Sequence, residues 1–171
     1  MVERDFPLTL LDVVGVESAR VEGEARDAAS GEVAMGDIMM GLGTAMNNHD
    51  LDAFVALFAD DYQSEQPAHP TRSFQGADKV RENWASVFAG IPDLRADLLT
   101  SATTRDDVEV GEWDWHGNHV DGSEFAMRGV IVVGIEDGRI AWGRLYMEPI
   151  EREGADIDTM VRETYRPPDE P

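Results

Sequence analysis

Two hydrophobic rhythms divide the chain. Met35, Ile38, Met39, Leu42 and Met46 recur at three- and four-residue spacings, which predicts a first helix over Val33–Asn48. Its methionine stripe reads as core packing, while Gly36, Gly41 and Gly43 either weaken the helix or mark a face that another backbone approaches closely. Asp50 is placed to cap a second short helix, Leu51–Phe58, ended by Ala59-Asp60-Asp61. Tyr62–Gln66 reads as a short strand stopped by Pro67, and a loop to Gln75 holds His69 and Pro70. Val80, Trp84, Val87 and Phe88 share one face of a third helix, Gly76–Ala89.

Beyond Pro92 the period shortens toward two. Strands are expected over Leu94–Thr103, Val108–Trp115, Ser123–Ile135 and Arg139–Glu148. They are joined by a turn at Thr104–Asp107, a polar loop at His116–Gly122 and a hairpin turn at Asp137-Gly138. A helix over Ala155–Tyr165, capped by Asp156, precedes a fraying tail, Pro167–Pro171. Helices first and an antiparallel meander after predict an α+β domain, its helices packed on one face of a curved, mainly antiparallel sheet. The expected organisation is an N-terminal extension over residues 1–33, a domain over 34–150, and a C-terminal helix and tail over 151–171.

Composition narrows the chemistry. With no cysteine, the chain has no disulfide, no Cys-ligated metal and no thiol nucleophile. Lys and Arg number 14 against 35 Asp and Glu, for a net charge of -21. Such a surface repels phosphate backbones and anionic lipid, so neither nucleic acid nor membrane is an expected partner. Lys79 is the sole lysine, consistent with a high-GC genome or with salt adaptation. The start, MVERDF, is no secretory signal, and the apolar run Leu8–Val14 is too short to span a bilayer, so a cytoplasmic location is expected. No phosphate loop, dinucleotide fingerprint or nucleophile elbow occurs, so no cofactor is expected.

Three segments stand out: Asn48–Asp61 with its double Asp, Phe74–Phe88 opened by Phe-Gln-Gly, and Gly129–Glu148 around Asp-Gly-Arg-Ile. Together, in this order, they resemble the SnoaL-like group of the nuclear-transport-factor-2-like superfamily. The resemblance covers Val33–Ile150. It implies a cone-shaped α+β fold with a pocket between sheet and helices, and a homodimer through the outer face of the sheet. It does not carry over the known catalytic sets. The base Asp of ketosteroid isomerases corresponds to Gln66, and their oxyanion donors fall near Leu42 and Ile131. The His and Asp of polyketide cyclases correspond to Ile131 and Leu145. Limonene epoxide hydrolase shares the Arg144 and Tyr146 pattern, but its water-activating Asp corresponds to Leu145. Its earlier Arg and Asp fall on Glu112 and Asp114.

Strand parity then assigns faces. With Leu145 and Ile131 on the pocket side, Met147, Phe125 and Met127 follow. Pairing Asp114 with the pocket brings Glu112 and His116 inward and sends Trp113 and Trp115 outward. There they would join Trp142, Arg144 and Tyr146 as a dimer interface, because aromatics and Arg are what such interfaces use. Gln66, His69 and Trp84 complete the expected pocket. Asp114 and His116 are the candidate acid/base pair, set against the alternative of two solvated groups at a strand end. His116, His119 and Asp121 read as a polar turn before they read as a metal site. Two functions stay open: a binding module for a small, hydrophobic, oxygen-bearing molecule, or a cofactor-free isomerase, cyclase or dehydratase using Asp114 and His116.

Overall fold

The structure, a computed structural model, describes residues 38–104 and 106–166. Three helices, α1 (Ile38–Asn48), α2 (Leu51–Ala56) and α3 (Ala77–Gly90), accompany six strands. The strands are β1 (Phe58–Glu65), β2 (Phe74–Gln75), β3 (Arg95–Thr103), β4 (Val108–Asn118), β5 (Glu124–Glu136) and β6 (Arg139–Pro149), and α4 (Ile157–Tyr165) follows. The fold is α+β, as expected, with strand order β2-β1-β6-β5-β4-β3. Every neighbouring pair is antiparallel except β1 with β6, which run parallel. No helix among the described residues is long and apolar enough to cross a membrane. The segment 1–33, the expected helix start with Met35 and Gly36, and the tail 167–171 lie outside the described residues.

Local chemistry explains the element ends. Asp50 caps α2 by accepting from the Ala53 N–H at 2.9 Å, and Asp156 caps α4 through Thr159 N–H at 2.8 Å. Asp137 and Gly138 both take positive φ, 50° and 74°, as a tight hairpin turn requires. The boundaries differ from expectation most at β1 and β4. Helix α2 stops at Ala56, and Asp60 and Asp61 lie inside β1 rather than at a helix end. A register shift between Phe58 and Gln63 leaves both carboxylates exposed and hides the alternation of this strand. Strand β4 runs on to Asn118, so His116 is in the strand, not in a loop. Asp93 holds that end, accepting from the Asn118 backbone N–H at 2.6 Å and its side-chain amide at 2.8 Å.

The core lies between the helices and one face of the sheet. Ile38, Met39, Leu42 and Met46 of α1 are buried there with Phe54, Val80, Trp113, Val133 and Ile140. Trp113 occupies space that two glycines leave free. A Cβ on Gly43 would stand 3.3 Å from its ring, and one on Gly111 only 2.8 Å from its Nε1. What approaches α1 closely is therefore an indole ring, and Gly41 faces the Leu57 side chain. Glu109 is also buried, and it accepts from the Met39 backbone N–H at 3.0 Å. A carboxylate there satisfies a donor in the first turn of α1 and complements the helix dipole.

Candidate ligand-binding site

A cavity of about 210 Å³ opens between the helices and the inner face of the sheet. Leu42 and Met46 come from α1, Phe54 from α2, and Val80, Asn83, Trp84 and Val87 from α3. The sheet supplies Phe58, Tyr62 and Ser64 of β1, Phe74 of β2, Trp115 of β4, Ile131 and Val133 of β5, and Ile140 and Leu145 of β6. Gln66 lies just past β1. Aromatic rings form much of the wall. Trp84 meets Phe54 at 4.1 Å and stands edge-on to Trp115 at 5.5 Å. Such tilted and edge contacts match the ring quadrupoles and fix the wall's shape.

The polar groups are few and uncharged. Tyr62, Ser64 and Gln66 alternate along one face at the end of β1, and Asn83 joins them from α3. Burial pushes the Tyr62 hydroxyl pKa up, with the Ser64 side chain pulling back less strongly, so the phenol stays protonated at neutral pH. Its space depends on Gly143, where a Cβ would stand 2.5 Å from the hydroxyl oxygen. The Trp115 indole N–H is buried without a hydrogen-bond partner, and so is that of Trp113. Asp, Glu, His, Lys and Arg do not occur among the described lining residues.

Of the residues predicted to line a pocket, Gln66, Trp84, Ile131 and Leu145 line this one. Met147 is buried in the adjoining core. Phe125 and Met127 lie further along β5, beside a shallow groove with His119, Pro149 and Ile150. His69 turns away to Glu148, 2.9 Å from its Nε2. The faces of β4 are the reverse of those predicted. Trp113 and Trp115 are buried, at 0% and 8% exposure, and Glu112, Asp114 and His116 stand on the outer face. The reason is energetic. Two indoles bury far more apolar surface than the competing carboxylates, which keep their hydration outside.

On that outer face Asp114 pairs with Arg128, its partner across the β4–β5 ladder. His116 Nδ1 lies 3.8 Å from Asp97 and 3.9 Å from Asp114. Glu112 sits between Thr100 and Val130. Trp142 carries the Arg144 guanidinium 4.9 Å above its ring, and Arg144 Nε donates to Glu65 at 2.9 Å. Tyr146 is exposed on the same side. His116, His119 and Asp121 do not converge. His119 packs edge-on to Phe125 at 5.6 Å, and Asp121 accepts from the Ser123 hydroxyl at 2.6 Å. Among the described residues no cluster of three or more His, Cys, Asp or Glu is placed to hold a metal ion.

The sequence reading missed Tyr62, Ser64, Phe74, Asn83 and Trp115 as cavity residues. Tyr62 and Ser64 carried a usable signal, since both share a strand face with Gln66.

Comparison with known proteins agrees with this architecture. The sequence profile described as the SnoaL-like domain matches residues 42–142, more than half of the chain. Wild-type IdmH, a proposed polyketide cyclase from Streptomyces antibioticus, superposes with a TM-score of 0.59 at 22% identity, over 67% of this chain and 92% of that one. RV0760c from Mycobacterium tuberculosis, solved with estradiol-17beta-hemisuccinate, gives 0.57 at 19% identity, over 64% and 89%. An NTF2-like protein of unknown function from Exiguobacterium gives 0.56 at 18% identity, over 67% and 98%. None of the curated proteins matches the chain by sequence.

Proposed function

This chain belongs to the SnoaL-like domain family, and we propose that it binds a small, hydrophobic, oxygen-bearing molecule in the cavity under α1–α3 without transforming it. The observation that carries this reading is the lining, which is aromatic and aliphatic with hydroxyl and amide groups and, among the described residues, no charged one. Four of the positions that the resemblance aligns with catalytic groups, Gln66, Leu42, Ile131 and Leu145, line this cavity. None of the four exchanges a proton at neutral pH. Asp114 and His116, the acid/base candidates, stand on the opposite face. An engineered cavity of about 150 Å³ takes up benzene, so about 210 Å³ suits one or two fused rings.

Titration with naphthalene-sized probes, followed by tryptophan fluorescence and thermal shift, tests this. Saturable binding by the wild type, lost in Ile131→Trp, is the expected result. No binding by any probe overturns the reading, and recovery of a chemically altered probe overturns the non-catalytic part.

The same reading pairs two copies through the outer face. Val130, Val132 and Trp142 are half-buried apolar residues there, with the exposed Tyr146 and Arg144 opposite the two valines. Trp113 and Trp115 drop out of that interface because they are core residues. Sedimentation of the wild type should give a dimer mass, and Val132→Asp should give a monomer that still binds the probes. A monomeric wild type at high micromolar concentration would remove the dimer.

A further inference from the structure

The hydroxyl and amide groups of the cavity are gathered on one side. Tyr62, Ser64 and Gln66 come from β1 and the residue after it, and Asn83 comes from α3, which packs on β1. Helices α1 and α2 and strands β5 and β6 supply apolar side chains to the described lining. Gln66 and Asn83 are half-buried, whereas Tyr62 and Ser64 are buried. Gly143 fixes where the Tyr62 hydroxyl stands. A Cβ on this glycine would lie 2.5 Å from the hydroxyl oxygen. Gly143 pairs with Ser64 on one side and with Val133 on the other, and both of these line the cavity. The hydroxyl therefore occupies the missing side chain's place on the cavity floor, between two lining residues.

Two neighbouring hydroxyls hold two protons, and the bond between them uses one. The Ser64 side chain pulls the phenol pKa down, as a hydroxyl does when it donates to the phenol oxygen. The phenol proton is then the one left over. An O–H whose oxygen already accepts a bond is also the stronger donor. Resting on the binding function proposed above, we infer that Tyr62, backed by Ser64, donates a hydrogen bond to the bound molecule, a neutral ring compound with a carbonyl oxygen turned toward β1. The rest of the lining excludes charge. Among the described residues no cation lines the cavity to receive a carboxylate, and the chain's net charge of -21 opposes an anion further. No carboxylate lines it to receive an ammonium group. A charge buried there would go unpaired.

Three probes of similar size test this: 2-acetylnaphthalene, 2-isopropylnaphthalene and 2-naphthoate. The wild type should bind the ketone roughly tenfold more tightly than the hydrocarbon, the size of one hydrogen bond to a buried donor. Naphthoate should bind more weakly than either. Tyr62→Phe keeps the ring that meets Phe58 at 4.8 Å and Phe74 at 6.1 Å, and removes only the hydroxyl. In it the hydrocarbon should keep its affinity while the ketone's advantage disappears. Ser64→Ala should lessen that advantage without touching the hydrocarbon. An infrared readout needs no variant: the carbonyl stretch of the ketone bound to the wild type should fall below its value in hydrocarbon solvent. Equal affinity for ketone and hydrocarbon with an unshifted stretch overturns the donor while leaving the binding function standing. A ketone advantage that persists in Tyr62→Phe assigns the donor elsewhere and overturns it too. Tighter binding of naphthoate overturns the neutral class. Failure of all three probes to bind defeats the binding function itself.

Discussion

The two faces of β4 are built from alternate residues of the same strand and obey different physics. Inward, Glu109, Gly111, Trp113 and Trp115 form a sequence of buried positions without an exposed one. Outward, Glu112, Asp114 and His116 stand among polar and charged neighbours, Asp97 and Arg128. The inner face is held by volume: each side chain fits because a glycine or a helix leaves it room. The outer face is held by charge in water, where each pair is replaceable. Chemistry that depends on a fixed, dry environment belongs to the first face; contact with water belongs to the second. A carboxylate on this strand is therefore poor ground for a catalytic assignment until its face is known.

The sharpest test of that contrast is truncation on either side of the sheet. Trp113→Ala should cost about 3–5 kcal/mol of unfolding free energy, because the cavity it leaves is walled by a helix. Trp142→Ala, on the outer face, should cost about 1 kcal/mol. Denaturant titration measures both, and equal losses would erase the distinction. Next in size is overpacking. Gly143→Val pushes atoms into the Tyr62 hydroxyl and should cost about 1–3 kcal/mol, with weakened probe binding. An unchanged midpoint and affinity would show that Tyr62 moves aside freely.

Smaller again is the outer ladder. Asp114→Asn breaks the pair with Arg128 and should change stability by about 0–1 kcal/mol. Whatever effect exists should shrink in molar salt. A loss comparable to that of Trp113 would mean this pair is part of the core. The faintest effects are pH-linked, one on the alkaline side and one on the acid side. Burial raises the Tyr62 pKa above its ordinary value of 10.0. Its contribution to stability is therefore complete below that value and is lost as pH climbs through the raised one. Tyr62→Phe should flatten this alkaline arm. Hydrogen bonds from Asn118 lower the Asp93 pKa below 3.8. Its contribution is present above 3.8 and is lost as pH falls through the lowered value. Asn118→Ala should flatten the acid arm, and a thermal melt series across pH reads both.

Much of this molecule was legible in its sequence because most of its elements announce themselves locally. The three- and four-residue spacing of Ile38, Met39, Leu42 and Met46 gave α1 its buried stripe, and Asp50 and Asp156 cap the helices they were expected to cap. On β6 the resemblance, not the local pattern, put Leu145 on the pocket side, and Leu145 lines the cavity. Parity on β4 failed because it was anchored on Asp114, and a one-residue error turns every side chain over. The better anchor was the tryptophan pair itself, whose burial outweighs any preference of the residues between them. Glu109 had no local signal at all. A lone carboxylate on a strand becomes a helix-capping group only once the fold brings α1 beside it. Strand β1 was read late because the register shift beside Asp60 and Asp61 breaks the period of two.

The parallel pairing of β1 with β6 also has a consequence in time. Glu65 and Arg144, which meet across it, are 79 positions apart. Helices α1 to α3 and strands β1 and β2 leave the ribosome long before β6 exists to receive them. Until then the apolar faces of α1 and α3 have no finished sheet to cover them, and β1 has an open edge. Distant pairings of this kind slow folding and lengthen the exposure of sticky surface. A nascent chain halted before Arg139 should thus be a client of chaperones, and the strong negative charge of the whole would serve it best in those seconds, by keeping unfinished copies apart.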